Sequence, residues 1–313
     1  MDLGEIIGET WRELADERGS GTPASYIPAL AEVDPRSFGI AIATPDGQVF
    51  CAGDADREFS IQSISKVFVL ALALEREGAA LWDAVGREPS GNAFNSIVQL
   101  EREKGIPRNP FINAGAIVTT DRFIGDTTPD GAVEDLLGRL RRMARDASID
   151  FDAEVAKSES ETGSRNRSLA YFLQDFGRLL NPVEDVLSVY FRQCALSMSC
   201  RQLAEAALFL AFDGTDPVSG QVMCSASRAR RINALMLMCG HYDASGQFAF
   251  EVGFPGKSGV GGGILASVPG RAAIAVWSPG LGRSGTSLLG AKALARIGLR
   301  TGWSVFGGAT SQA

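Results

Sequence analysis

Short apolar runs toward both ends of the chain predict β-hairpins. Each pair of runs flanks a turn sequence, Pro45-Asp46-Gly47 in the first pair and Pro269-Gly270 in the second. The paired runs are SFGIAIA (37–43) with QVFCAG (48–53), and GGILASV (262–268) with RAAIAVW (271–277). Apolar runs bounded by proline and glycine turns are typical of hairpins, and we expect a further strand in QFAFEVGF (247–254).

Apolar positions at helical spacing predict an acidic amphipathic helix near the start of the chain and further helices through its middle. These runs are MDLGEIIGETWRELADERG (1–19), VFVLALALERE (67–77), AVEDLLGRLRRMAR (132–145), SLAYFLQDFGRLL (168–180) and RQLAEAALFLAF (201–212). The pattern predicts an α+β fold: an antiparallel sheet built from both chain ends, flanked by helices, with an inserted helical lobe. We expect a single domain over 1–313, with a sheet lobe at about 1–60 plus 241–313, a helical lobe at about 61–240, and a ligand cleft between them.

Charge and cysteine content narrow the possible functions. A net charge of −7 opposes binding to the phosphates of nucleic acid, and the arginines of GRLRRMARD (138–146) are expected on a solvated helix face. No run approaches the ~18 apolar residues of a membrane span, and the acidic start lacks the features of a signal peptide. Five cysteines without a CxxC pair, together with a single histidine, favour neither a disulfide framework nor a zinc site. We therefore expect a cytoplasmic protein with reduced thiols, no metal, no cofactor and no nucleic-acid or membrane partner.

Ser63 and Lys66, in FSIQSISKVF (59–68), form a candidate nucleophile and base. A helix from about Ser60 to Gly78 would place both on one face near its N-terminus, where free N–H groups favour a developing anion. Burial disfavours the ammonium form of a lysine, so Lys66 could accept the serine's proton in place of a histidine. The spacing S-x-x-K also occurs by chance, and an ordinary apolar helix start is the alternative.

The run FPGKSGVGGGIL (254–265) admits two interpretations. Gly256-Lys257-Ser258 resembles the end of a phosphate-binding loop, but Glu251 occupies the position of that motif's first glycine, and a β-like run follows where a helix is needed. The other interpretation is a K-[ST]-G strand, which lies beside the S-x-x-K helix in β-lactamases and penicillin-binding proteins. In that arrangement the backbone N–H groups of Ser63 and Val260 would form an oxyanion hole.

Longer motifs, in order along nearly the whole chain, resemble those of the serine-dependent glutaminases. They are YIPALA (26–31), QSISKVF (62–68), NPFINAGAI (109–117), SESETGSRNRSLAYF (158–172), HYDASG (241–246) and KSGVGGGI (257–264). The resemblance implies hydrolysis of L-glutamine to L-glutamate and ammonia, a β-lactamase-like fold, and a homo-oligomer, either a tetramer or a dimer. It also implies that Ser63 is the nucleophile and Lys66 its partner, with the hydroxyls of Tyr26 and Tyr242 nearest the reacting centre. By the same resemblance the substrate pocket is lined by Ser63, Asn113, Glu159, Asn166, Tyr190, Tyr242 and the backbone at Val260.

The expected pocket residues suit a free amino acid, but each has an alternative. Glu159 can supply the anion for an ammonium group, while Asn113, Asn166 and Tyr190 can supply donors and acceptors. Alternatively, Asn113 and Asn166 could cap helices, and Glu159 could be a solvated charge. Tyr190, like Tyr26, could be an ordinary core aromatic.

Two further functions stay open at this point. One is a β-lactamase or cell-wall peptidase with the same fold, and the other is a catalytically silent amino-acid-binding protein. The choice of dominant base among Lys66, Tyr26 and Tyr242 is open as well. His241 is expected to be structural, and the chain departs from the family pattern at Gly163-Ser164 and at Thr286.

Overall fold

The two predicted hairpins meet in one antiparallel sheet. The strands are β1 (Gly39–Ala43), β2 (Val49–Gly53), β3 (Phe59–Ser60), β4 (Asp150–Phe151), β5 (Leu196–Met198), β6 (Gly256–Ser258), β7 (Gly263–Val268) and β8 (Ala272–Trp277). In the computed structural model, which describes residues 1–91 and 95–307, a five-stranded sheet has the order β2-β1-β8-β7-β6. The hairpins join where β1 pairs with β8, with Gly39 opposite Trp277 and Ala43 opposite Ala273. A smaller sheet of order β3-β5-β4 lies in the middle of the chain. The predicted α+β class with an antiparallel sheet is confirmed.

Helices occupy much of the remaining chain. They are α1 (Leu3–Glu13), α2 (Pro28–Ala31), α3 (Ser65–Glu77), α4 (Leu81–Ala84), α5 (Ile97–Arg102), α6 (Asn113–Ile124), α7 (Pro129–Met143), α8 (Ala153–Thr162), α9 (Ser164–Asp175), α10 (Val183–Cys194), α11 (Cys200–Ala206), α12 (Leu208–Ala211), α13 (Ala226–Cys239), α14 (Ser245–Glu251) and α15 (Leu288–Thr301). Within residues 1–91 and 95–307, none of them is both long and apolar enough to cross a membrane.

Residue size alternates along the central strands, and this alternation explains how both faces of the sheet are covered. In β1, Ile40 and Ile42 lie in a cluster with residues of α1 and α15, whereas Ala41 and Ala43 lie in the larger cluster of the helical region. Successive side chains of a strand point to opposite faces. Because the alanines are small, α11 packs closely against β1 on the second face. The sheet is therefore a buried layer between α1 and α15 on one side and the helical region on the other.

Two local predictions are wrong. The run 247–254 does not form a strand, since α14 spans Ser245–Glu251. Phe248 and Val252, four residues apart, are both buried while Phe250 is 89% exposed, which is the pattern of one helical face rather than of a strand. The helix expected from about Ser60 begins only at Ser65, because Phe59–Ser60 is β3 and a 3₁₀ turn follows at Gln62–Ile64.

The division into lobes stays a prediction. The five strands of the large sheet do lie at 39–53 and 256–277, outside the expected helical segment. However, α11 and α12 come from within that segment and pack directly against the sheet. The cleft described below lies where the sheet edge at β6 meets the start of α3.

Candidate active site

A cavity of about 290 Å³ lies beside the 3₁₀ turn that precedes α3. Eight of the nine residues expected at the site line it: Tyr26, Ser63, Asn113, Glu159, Asn166, Tyr190, Tyr242 and Val260. The ninth, Lys66, is buried one helical turn further into the protein, 1% exposed. The fold therefore brings together residues that are spread over most of the chain.

Ser63 occupies a strained turn at one wall of the cavity. It is 8% exposed and lies in the 3₁₀ turn between β3 and α3. The preceding residue, Gln62, has a φ of 51°, and Tyr242 across the cavity has a φ of 57°. Residues other than glycine rarely adopt this left-handed conformation, and such strain concentrates at functional sites. The Tyr242 side chain hydrogen-bonds that of Ser63.

Two glycines allow the loop after β6 to approach this turn. A Cβ atom on Gly259 would lie 2.4 Å from the carbonyl oxygen of Ile61, and one on Gly261 would lie 2.1 Å from that of Ser60. Both distances are far below van der Waals contact, so any larger residue would push the two segments apart. The glycines thereby place Val260 at the cavity next to Ser63. This close approach requires glycine both at 259, the last residue of the K-S-G triplet, and at 261.

Lys66 is held in a low-dielectric position by two hydrogen bonds. Its Nζ donates to the carbonyl oxygen of Phe111 at 3.1 Å and to Oδ1 of Asn113 at 2.8 Å. Burial penalises the ammonium form and lowers the pKa of Lys66 from 10.5 to about 8. A substantial fraction of this lysine is therefore neutral under mildly alkaline conditions.

Asn113 and Asn166 serve the cavity rather than helix ends. Asn113 is the first residue of α6, and its Nδ2 donates to Oδ1 of Asn166 at 2.9 Å. The free N–H groups before α6 are instead satisfied by Asn109, whose Oδ1 accepts from Phe111 and Ile112. Asn166 lies inside the first turn of α9, beyond its N-cap position. The alternative that either asparagine caps a helix is wrong.

Glu159 brings a buried carboxyl group into the cavity. It lies in α8 and is 7% exposed, so the alternative of a solvated charge is wrong. Burial raises the pKa of Glu159 to about 7, against the opposing effects of a hydrogen bond with Gln62 and the charge of Lys66. A ligand ammonium group would stabilise the ionised carboxylate further.

The two remaining tyrosines differ in environment. Tyr190, in α10, is 2% exposed and combines a core position with a place in the cavity wall. Tyr26 is 56% exposed at the rim, so it is not a core aromatic. Cys194 also lines the cavity, but burial raises the pKa of its thiol to about 12. The thiolate is therefore essentially unpopulated near neutral pH, and Cys194 is a poor alternative nucleophile.

Several residues that line the cavity were not among the site residues predicted from the sequence. Gln62, Asn95, Thr162 and Arg165 line the cavity as well. Gln62 and Arg165 are next in sequence to expected site residues, and this adjacency could have indicated a place in the cavity. Asn95 belongs to no motif. His241 does not line this cavity: it is buried, stacks on Phe248 and faces Thr286 with Nδ1 3.4 Å from Oγ1.

Over the ranges 1–91 and 95–307, no group of three or more histidine, cysteine, aspartate or glutamate side chains is arranged to hold a metal ion. The side chains that line the cavity include hydroxyl, carboxyl and amide groups, and the amine of Lys66 is buried behind them.

Similarity to known proteins identifies the family. The glutaminase family model matches residues 21–306. The chain belongs to the glutaminase family. A glutaminase from Rhizobium rhizogenes is 59% identical over 306 residues, covering 98% of this chain and 99% of the relative. A thermolabile glutaminase from Rhizobium etli is 60% identical, with the same coverage.

Solved structures of glutaminases share the fold. The probable glutaminase ybaS superposes with a TM-score of 0.91 at 38% identity, covering 98% of this chain and 99% of that one. Mglu in its glutamate form gives a TM-score of 0.90 at 39% identity, covering 96% of this chain and 68% of that one. A probable glutaminase from Bacillus subtilis gives 0.86 at 34% identity, covering 97% of each chain.

Proposed function

We propose that this glutaminase-family chain hydrolyses the side-chain amide of L-glutamine to L-glutamate and ammonia, with Ser63 as the nucleophile. The observation that carries the proposal is that Ser63 lines the cavity and hydrogen-bonds Tyr242, with Lys66, a buried lysine of lowered pKa, one helical turn behind it. A serine that is activated by a buried lysine attacks carbonyl carbon. The family membership selects the amide of glutamine among possible carbonyl substrates.

Lys66 is the base in this proposal, and Tyr242 passes the proton to it. A neutral lysine has two N–H bonds and one lone pair, and the two hydrogen bonds to Phe111 and Asn113 account for both N–H bonds. The lone pair is then left for a proton. Burial raises the pKa of Tyr242, so its hydroxyl stays protonated and cannot be the final acceptor. It takes the proton of Ser63 while giving its own to Lys66.

The covalent steps follow from these positions. Ser63 Oγ bonds to the side-chain carbonyl carbon of glutamine, and the oxyanion is held by the backbone N–H groups of Ser63 and Val260. Lys66 returns a proton through Tyr242 to the amide nitrogen, and ammonia leaves as the glutamyl ester forms on Ser63. Water then loses a proton to the same pair and bonds to the ester carbonyl carbon. The bond between that carbon and Ser63 Oγ breaks as the proton returns to Oγ, and glutamate is released.

Glu159 and the asparagines orient the substrate. The ionised carboxylate of Glu159 binds the α-ammonium group, and the amides of Asn113 and Asn166, with Tyr190, bind the α-carboxylate. Binding of the ammonium group favours the ionised form of Glu159. A substrate without either charged group leaves buried polar atoms unpaired and binds poorly.

The decisive experiment is Ser63→Ala with ammonia release from L-glutamine as the readout. We expect the rate to fall by at least about 10³-fold, since loss of a nucleophile removes the covalent route. Ser65→Ala is the matched control: this serine is buried in α3, two residues away and outside the cavity. Near wild-type ammonia release by the Ser63→Ala protein would exclude the proposal.

We further propose that the protein acts as a cytoplasmic homo-oligomer, a dimer or a tetramer. The family resemblance supports the assembly, and five free cysteines, four of them buried, suit a reducing compartment. Light scattering coupled to size-exclusion chromatography measures the assembly directly. A mass of one chain at micromolar concentration would contradict it.

A further inference from the structure

A second cavity adjoins the first one and shares part of its wall. Its volume is about 650 Å³, and Tyr26 and Val260 line both cavities. The other walls come from the segments 22–26 and 281–285 and from Asp243. Tyr26 therefore forms part of the walls of both cavities, and the second cavity is large enough for a small molecule.

Backbone hydrogen bonds hold these walls together. Thr22 and Leu281 form an antiparallel bridge, in which each N–H donates to the other's carbonyl oxygen at 3.1 to 3.2 Å. Gly280 permits this approach, since a Cβ atom there would lie 1.8 Å from the carbonyl oxygen of Ser20. The second cavity is thus framed by paired backbone.

Opposite charges line the second cavity without pairing with each other. Arg283 and Asp243 are both exposed. Among the ion pairs and side-chain hydrogen bonds recorded for residues 1–91 and 95–307, neither side chain takes part in one. A guanidinium group that lines a cavity in this way is suited to a carboxylate.

We infer that the second cavity is an acceptor site for an amino acid or a short peptide, whose carboxylate binds Arg283 and whose amine takes the glutamyl group from Ser63. This inference rests on the proposed function, because it needs the glutamyl ester. Water and the acceptor amine compete for the same ester. When the amine reacts, the product is a γ-glutamyl amide, and when water reacts, the product is glutamate.

The transfer step is balanced without any further reactant. The neutral amine nitrogen of the acceptor bonds to the ester carbonyl carbon, and the bond between that carbon and Ser63 Oγ breaks. The proton lost by the nitrogen passes to the Tyr242 and Lys66 pair and returns to Ser63 Oγ. No oxidation occurs, and the enzyme is restored to its starting state.

The location of the shared wall explains how the acceptor reaches the ester. Val260 supplies an oxyanion N–H in the proposed mechanism, so the ester carbonyl lies against the wall common to both cavities. An amine that enters past the exposed Tyr26 therefore approaches the carbonyl from the second cavity. Asp243, next in the chain to Tyr242, attracts the acceptor's ammonium form to the same opening.

The test compares two acceptors that differ only in their carboxylate. Wild-type protein is incubated with L-glutamine and either glycylglycine or glycylglycinamide at mildly alkaline pH, and γ-glutamyl products and glutamate are quantified by mass spectrometry. We expect product with both acceptors and a preference for glycylglycine. In Arg283→Ala, the yield with glycylglycine relative to glycylglycinamide should fall about fivefold, the upper range for an exposed ion pair.

Matched variants make the outcome decisive. Arg283→Lys should keep most of the preference. Arg231→Ala removes another exposed arginine, which lines a different cavity, and should leave the preference unchanged. Normal glutamate formation without any γ-glutamyl peptide would overturn the acceptor site alone, as would an equal effect of Arg283→Ala on both acceptors. Absence of glutamate from the wild-type sample would instead contradict the proposed function itself.

Discussion

Replacing Lys66 by methionine should change how the stability of the protein depends on pH. The pKa of Lys66 falls from 10.5 in an unfolded chain to about 8 in the folded protein because the side chain is fully buried. Between these two values the unfolded chain binds a proton that the folded protein does not. The free energy of unfolding therefore rises with pH across this window, and it does so because of Lys66.

The magnitude follows from the size of the pKa change. Each pKa unit is worth about 1.4 kcal/mol, so the window from about pH 8 to 10.5 contributes about 3 kcal/mol. Below pH 8 the lysine is protonated in both states, so the folded protein carries the full free-energy cost of burying the ammonium group. The hydrogen bonds that methionine cannot make to Phe111 and Asn113 add an offset, and the comparison across pH separates this offset from the titration of Lys66.

The assay is urea denaturation followed by tryptophan fluorescence, for wild type and Lys66→Met, at intervals from pH 7 to 10.5. The quantity to plot is the wild-type free energy of unfolding minus that of the variant, in which the titration of other groups largely cancels. We expect this difference to rise by about 3 kcal/mol above pH 8. A difference that stays flat would show that Lys66 keeps an ordinary pKa. Lys66 could then not be the neutral base near pH 8, and the mechanism would need another one.

Three further substitutions change residues that line the cavity and test either substrate binding or packing. Glu159→Gln should raise KM for L-glutamine at least about tenfold with a smaller effect on kcat, because the partner of the α-ammonium group is lost; unchanged initial-rate kinetics would contradict that assignment. The wild-type KM should fall as pH rises through about 7, where Glu159 ionises. Gln62→Gly, which tolerates the φ of 51°, removes the hydrogen bond that lowers the pKa of Glu159, so the pH dependence of KM should move to higher pH. Gly163→Ala places Cβ 2.6 Å from Cζ of Phe191 and should lower the free energy of unfolding by about 1–3 kcal/mol in urea denaturation. Gly246→Ala, with nothing within 4 Å of its Cβ, is the control, and equal effects of the two would refute the steric argument.

Apolar patterns in the sequence predicted the longer helices and strands. They could not predict the short strands or the strained turns. Apolar runs on either side of proline and glycine turns predicted the strands of both hairpins, which are five or six residues long, as in β8 (Ala272–Trp277). The small sheet contains β3 and β4 of two residues each, and two residues cannot establish a period. The run around Phe250 combines apolar residues at every second position with a helical face, and tertiary burial decided between them.

In the site, the identity of the side chains could be predicted from the sequence, but the strained backbone could not. The family resemblance named Ser63 and Glu159 as site residues, and both line the cavity. The left-handed backbone at Gln62 and Tyr242 was not foreseeable, since neither residue favours it and only the surrounding fold imposes it. The second cavity was equally hidden, because the segments that frame it meet only through the tertiary pairing of Thr22 with Leu281.

The pairing of β1 with β8 has a consequence for the newly made chain. β1 is synthesised early, yet its neighbour on one side leaves the ribosome only after almost all of the helices have been made. Until then the edge of β1 that pairs with β8 has no partner strand, and contacts of such long sequence separation form slowly. Val260, next to β6, is also made late, so Ser63 would lack the proposed oxyanion donor for most of translation. A growing polypeptide would then have no hydrolytic capacity, and activity would begin only once the sheet closes.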